Sequence, residues 1–136
     1  MSPSSGDLSN DLFTRYRGNP LLTPNRWPYT VNAVMNAGAA EVDGTTVLLC
    51  RVEDRRGLSH LTVARSRNGF SNWVVDEKPL LEADPSLDYE VWGVEDPRLG
   101  RCPDTPHRLR GAVRAVRGRG DGRRHPGHRL LAGVHA

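Results

Sequence analysis

The chain has 136 residues and a formal net charge of +3, from 19 Lys and Arg against 16 Asp and Glu; that length suits one domain able to bury roughly two-thirds of the surface its unfolded form exposes. Two cysteines, Cys50 and Cys102, in neither C-x-x-C nor His-rich spacing, exclude a disulfide framework and a zinc module, so a reduced, cytoplasmic setting is expected. The Ser-rich start has no basic region followed by an apolar run, and no window approaches the ~18 apolar residues of a membrane span, which points away from a secretory leader and from membrane insertion.

In chain order, residues 1–18 read as a polar lead-in, with a short helical turn expected at Leu12 and Phe13. Asn19 to Trp27, N-P-L-L-T-P-N-R-W, interleaves proline with apolar residues and predicts an ordered, extended or turning segment. Gly38–Val42 and Thr45–Val52 are β-compatible runs joined by Asp43-Gly44, a dipeptide that tolerates positive φ and favours a tight hairpin. Leu58–Ser66 is a third run, ending at the turn signal Asn68-Gly69, and Trp73–Val75 reads as a fourth short strand. Four short strands in succession predict a meander of the kind that forms one blade of a β-propeller. Val52-Glu53-Asp54 recurs as Val94-Glu95-Asp96 at a spacing of 42. The first copy closes an apolar strand and the second opens a new segment, so Asn36-Ala37-Gly38 and Asp96-Pro97-Arg98 are the better structural equivalents.

Charge divides the chain at about residue 100. Residues 1–100 hold ten Lys or Arg against fourteen Asp or Glu, a net of −4, and residues 101–136 hold nine Arg against Asp104 and Asp121, a net of +7. The second part has no Phe, Trp, Tyr or Lys and is dense in Arg, Gly, Pro and His, a composition that predicts a disordered, basic, low-complexity tail. One reading is an electrostatic nucleic-acid-binding tail centred on Arg117-Gly118-Arg119-Gly120, although interleaved aromatics are missing. The other is a lost reading frame, since eighteen Arg against one Lys mark a GC-rich gene whose out-of-frame codons would yield this mixture; composition favours it, and nucleic acid is not the expected partner.

Three clusters carry candidate chemistry: Asn32 to Asn36, Arg51-Val52-Glu53-Asp54-Arg55-Arg56, and Trp92-Gly93-Val94-Glu95-Asp96-Pro97-Arg98. Each sets carboxylate, amide or guanidinium groups beside an apolar run, the groups that form directional hydrogen bonds to a hydroxyl-rich ligand. Cleaving a glycosidic bond further requires a placed carboxylic acid. Singly, charges of both signs at strand ends are usually solvated ion pairs, and His60 on its strand reads as a hydrogen-bonded structural residue. In Glu95-Asp96-Pro97-Arg98 the proline after the acid removes a backbone donor and fixes the turn that presents the carboxylate.

Taken together and in order, N-P-L-L-T-P at 19–24, W-P-Y-T-V-N-A-V at 27–34, L-L-C-R-V-E-D-R-R-G-L-S-H-L at 48–61, A-R-S-R-N-G-F-S-N-W at 64–73 and W-G-V-E-D-P-R at 92–98 resemble the N-terminal portion of glycoside hydrolase family 130, which comprises mannosylglucose phosphorylases, mannooligosaccharide phosphorylases and some mannosidases. The resemblance implies an all-β chain: the first blade and the start of the second of a five-bladed β-propeller over residues 19–100, followed by the disordered tail. It implies that Asp96 is the catalytic acid, that Asn36 and Arg51 hold the reacting sugar, and that Glu53, Asp54 and Glu95 contact sugar or support the site. It also implies inverting phosphorolysis of a β-mannoside to mannose 1-phosphate, with inorganic phosphate as co-substrate and no metal or other cofactor. A mannoside hydrolase is the alternative, needing a second carboxylate from elsewhere, and a non-catalytic sugar-binding or nucleic-acid-binding protein is the alternative outside the enzymes. Beyond Arg98 the family continues with aromatic-rich strands, and its basic phosphate-binding residues and remaining blades lie downstream, where this chain has the Arg/Gly-rich tail. The expectation is therefore a fragment inactive on its own, with any homo-oligomer belonging to the full-length enzyme.

Overall fold

A computed structural model describes residues 14–100 in full and the backbone of 101–102, 105–115 and 128–134. Regular structure is almost entirely β. Strands β1 (Ala33–Val42), β2 (Thr45–Glu53), β3 (Ser59–Ser66) and β4 (Val74–Val75) form an antiparallel meander in sequence order. A second antiparallel sheet holds β5 (Val94–Cys102), β6 (Thr105–Ala115) and β7 (His128–Val134). Short 3-10 turns occupy Pro24–Arg26 and Asp88–Glu90. Among the described residues no helix is long and apolar enough to cross a membrane.

The predicted hairpin is present, with Asp43 at φ 49° and Gly44 at φ 73°, the two positive φ values that match a tight turn to the strands' right-handed twist. Asn68-Gly69 closes the next bend, where the Asn68 side-chain oxygen accepts from the Phe70 and Ser71 amides at 3.0 and 2.9 Å. The lead-in is exposed and irregular over its described residues 14–18; the turn expected at Leu12 and Phe13 lies outside them.

β2 and β3 are buried on both faces, because successive side chains point to opposite sides of a strand and each side has a cover. Val47, Leu49, Leu61 and Val63 pack with Leu81 and with Val94 at the start of β5. Cys50, Val52 and Ala64 pack under Trp27, with Leu22, Tyr29 and Val31 alongside, so the proline-rich segment covers the second face. Burial pushes the Cys50 thiol up to about 12, since a thiolate there would lose its hydration.

Residues after 100 depart from the disordered tail predicted from composition. The backbones of 105–115 and 128–134 pair as strands against β5 and each other, with Arg110 opposite both Gly100 and Ala132. Ladder pairing gives backbone donors and acceptors partners whatever the side chains are, a contribution that counting aromatic residues ignores. Arg117-Gly118-Arg119-Gly120 lies outside the described residues.

Candidate active site

Two bulges build the site. In β1 the register with β2 shifts between Val34 and Ala37, leaving Met35 and Asn36 opposite the single residue Arg51. In β5 the register with β6 shifts between Glu95 and Arg98, leaving Asp96 and Pro97 opposite Val113. A bulge re-aims the side chain it carries, and both occur early in their strands, which agrees with the predicted equivalence of the Asn36 and Asp96 segments. Asp96 has φ 52°, a left-handed conformation that a non-glycine residue adopts at a cost and that concentrates at functional sites.

The bulges meet. Asn36 Nδ2 donates to Asp96 Oδ1 at 3.5 Å across sixty residues of chain. Gly38 allows this approach: a Cβ there would lie 2.8 Å from the Pro97 carbonyl oxygen. Behind Asp96, Arg51 forms an ion pair with Glu95 and donates from Nε to Ser59 Oγ at 3.0 Å. Arg51, Ser59 and Glu95 are partly or wholly buried, so the pair is better sheltered than a surface bridge. Gly93, at φ 101°, closes the set. A Cβ on it would come within 2.4 Å of both the backbone nitrogen and the oxygen of Ser59, so only glycine lets β5 start against β3.

Of the six predicted site residues, Asn36, Arg51, Glu95 and Asp96 come together. Glu53 is next to them in sequence, yet its carboxylate accepts from Asn32 Nδ2 at 2.7 Å at the strand end. Asp54 turns into the β2–β3 loop, accepting from the amides of Arg56 and Leu58 at 2.8 and 3.1 Å and from the Arg56 guanidinium. Partial burial would raise its pKa, but the Arg56 side chain and the two amides more than offset this and hold it below the usual value. Ser59 and Gly93 were not predicted. A glycine directly before an apolar strand start is a signal for Gly93; nothing in the sequence marks Ser59.

A cleft of 540 Å³ lies beyond Ser59, between the β2–β3 loop and residues 79–91. His60 forms part of its wall and, as expected of a structural histidine, bonds through Nε2 to the Tyr29 hydroxyl at 2.9 Å; the same hydroxyl bonds to Thr62. Burial lowers the His60 pKa, only partly opposed by the carboxylates of Asp54 and Glu82, so the ring is neutral at pH 7.

No family model matches the chain. It is 36% identical to a 4-O-β-D-mannosyl-D-glucose phosphorylase of Bacteroides fragilis over 52% of this chain and 23% of that protein. It is 26% identical to a β-1,2-mannobiose phosphorylase of Listeria innocua over 68% of this chain and 42% of that protein. The chain is thus similar, over half to two thirds of its length, to mannoside phosphorylases. Solved structures agree on the fold. One, from work on GH130 glycoside hydrolases that target β-1,2 mannosidic linkages in Candida mannan, superposes with TM-score 0.64 at 21% identity, over 85% of this chain and 36% of that one. The Listeria innocua β-1,2-mannobiose phosphorylase superposes with TM-score 0.60 at 21% identity, over 90% of this chain and 51% of that one. Coverage this broad exceeds residues 19–100, so the likeness in fold reaches beyond them. The chain spans roughly a quarter to a half of the length of these GH130 proteins, which fits a correspondence with their N-terminal portion.

Proposed function

We propose that this chain supplies the acid side of a β-mannoside phosphorylase site, cleaving substrates such as mannosyl-glucose with inorganic phosphate to give mannose 1-phosphate. The observation that carries the reading is the meeting of Asn36 and Asp96 from two separate bulges, with Arg51 braced by Glu95 and Ser59 beside them. Asp96, the catalytic acid, gives its proton to the departing glycosidic oxygen, directly or through a sugar hydroxyl, as the bond to C1 breaks. A phosphate oxygen bonds to C1 from the opposite face, inverting it, and the proton that phosphate gives up restores the acid. Asn36 and Arg51 hold the mannose by directional hydrogen bonds, Glu95 orients Arg51, and Glu53 and Asp54 support the loop end. Both curated relatives are phosphorylases, which favours phosphate over water as the nucleophile.

In this reading the first sheet is the first blade, and β5 the start of the second, of a five-bladed, cytoplasmic propeller with the sugar site at its centre. The domain begins at about residue 19, and residues 101–136 derive from a shifted frame. The 136 residues then perform no phosphorolysis alone, because the phosphate-holding blades are not among them. The test is a chimaera in which residues 19–98 replace the corresponding part of the Listeria innocua phosphorylase. It should release mannose 1-phosphate from β-1,2-mannobiose, and Asp96→Asn should reduce kcat by at least about a hundredfold. A folded chimaera that keeps its activity with Asn at 96 would remove Asp96 from the chemistry.

A further inference from the structure

A groove at the outer edge of the first sheet takes no part in the site described above. It lies beside β4, at the opposite edge of the sheet from β1, which carries Asn36. Its volume of 360 Å³ is within the range of small-ligand sites. Leu22, Trp73 and Val75 form its floor and pack onto the core around Cys50 and Val52. Tyr16 forms one wall, its ring folded back over Gly18, where a Cβ would lie 2.5 Å from Tyr16 Cε1. The Asn19 amide donates to the Tyr16 carbonyl at 3.1 Å and secures that fold. Phe70, 58% exposed, meets the Tyr16 ring at a centroid distance of 5.5 Å. The bend that carries Phe70 is fixed in turn: Asn68 Nδ2 donates to Ser71 Oγ at 2.8 Å, and Ser66 Oγ donates to the Ser71 carbonyl at 2.6 Å. Two aromatic rings are therefore held at the surface by a built frame.

We propose that this groove binds a nucleoside phosphate, with the base against the Tyr16–Phe70 pair and the phosphate on Arg26. Arg26 lines the groove, and no carboxylate does among the described residues. Arg15 and Arg17 flank Tyr16 in the chain, Arg67 opens the bend that carries Phe70, and all four arginines are exposed. None of the four forms an ion pair among the described residues, although residues 1–100 as a whole are net negative. A guanidinium matches a phosphate as a planar fork, and these can turn to one without breaking an existing pair. The aromatic and apolar lining decides what else the ligand carries. Inorganic phosphate has no use for it, and a sugar phosphate has no flat π face to stack, whereas a base stacks on aromatic rings whatever its identity. Asn72 adds an amide able to pair with a base edge. The groove shares no residue with the set around Asp96, so the proposal stands apart from the phosphorylase reading.

The test is amide-resolved NMR titration of the full chain with adenosine monophosphate, and in parallel with adenosine, inorganic phosphate and mannose 1-phosphate. Because stacking tolerates any base, one purine is an adequate probe. The monophosphate should shift the amides of Phe70, Ser71 and Asn72 and the indole signal of Trp73, leave the Asn36 amide in place, and bind at least about tenfold more tightly than each of the other three. Arg26→Gln should weaken it about tenfold and leave adenosine unchanged, whereas Tyr16→Ala should weaken both; the two side chains are exposed, so neither change disturbs the core. Groove signals that stay still overturn the proposal, as does a monophosphate that binds both variants as it binds the wild type. Adenosine binding as tightly as its monophosphate would remove the phosphate from the recognition and overturn it too. Equal binding of inorganic phosphate would mean an adventitious ion only, and equal binding of mannose 1-phosphate would make the groove a sugar-phosphate site; either result rejects the base.

Discussion

The two sheets hold together by different means. The first is closed on both faces, Leu49 and Val63 on one side and Cys50 and Val52 on the other, so its order rests on apolar burial. The second is secured to the first along β5, through Val94 in the core and Leu99 against it, Gly93 against Ser59 and Pro97 against Gly38; its later described strands rest on ladder pairing. The candidate site groups straddle the seam, Asn36 and Arg51 on one side and Glu95 and Asp96 on the other. A site at a seam depends on the few contacts that fix the two bodies, and these are glycines where a backbone must come close.

That contrast can be broken from either side. The largest effect is expected from Leu49→Ala, which empties a fully buried position and should cost about 2–5 kcal/mol in denaturant unfolding. Peptide-mapped alkylation gives a second readout, because Cys50, its thiol pushed up to about 12, should react only once the sheet opens. Next comes Gly93→Ala. Its Cβ would collide with Ser59, and φ is 101°, so a loss on the order of 1–3 kcal/mol is expected. Unlike Leu49→Ala, it should move the NMR signals of Asn36, Arg51 and Asp96 while leaving hydrogen exchange in β2 and β3 slow. Equal loosening of both sheets would show that the seam is not separable from the core.

Much of the first sheet was legible in sequence because its signals are local. Asp43-Gly44 and Asn68-Gly69 fix the bends, and alternating apolar runs fix strands within a few residues of those observed. The turn that carries Asp96 was legible through its proline, and the resemblance put Asn36 and Asp96 in one expected site without foreseeing the contact between them. Two things were not legible. Ser59 has no distinctive neighbours, since its role comes from register: it opposes Glu53 and presents its hydroxyl to Arg51 from the same face. The strands after 100 were hidden because composition reports what side chains can bury and says nothing about whether a ladder awaits the backbone.

A smaller effect sharpens the view of the loop end. Asp54→Ala removes the acceptor for two amides and should cost on the order of 1 kcal/mol, with faster exchange at the Arg56 and Leu58 amides and unchanged exchange in β5. Asp54→Asn, which keeps an oxygen acceptor but loses the charge to Arg56, should recover most of the loss. Equal losses in the two variants would assign the stabilisation to the ion pair instead of the turn.

The smallest effect is a dependence on acidity, whose sign follows from His60. Burial lowers its folded pKa below the ordinary value of 6.5, with Asp54 and Glu82 pulling weakly the other way. As pH falls, the unfolded chain therefore takes up this proton first, so the stabilisation is fully present above about 6.5 and is lost as pH drops through the folded value. Asp54 acts in the same direction but in a lower window, beginning near 3.8, which keeps the two groups separable. Urea midpoints measured from pH 7 to pH 5 should fall in the wild type and fall less in His60→Gln, whose amide can still meet the Tyr29 hydroxyl. A wild-type profile no steeper than the variant's would mean that the ring takes up a proton as readily in the folded chain as in the unfolded one.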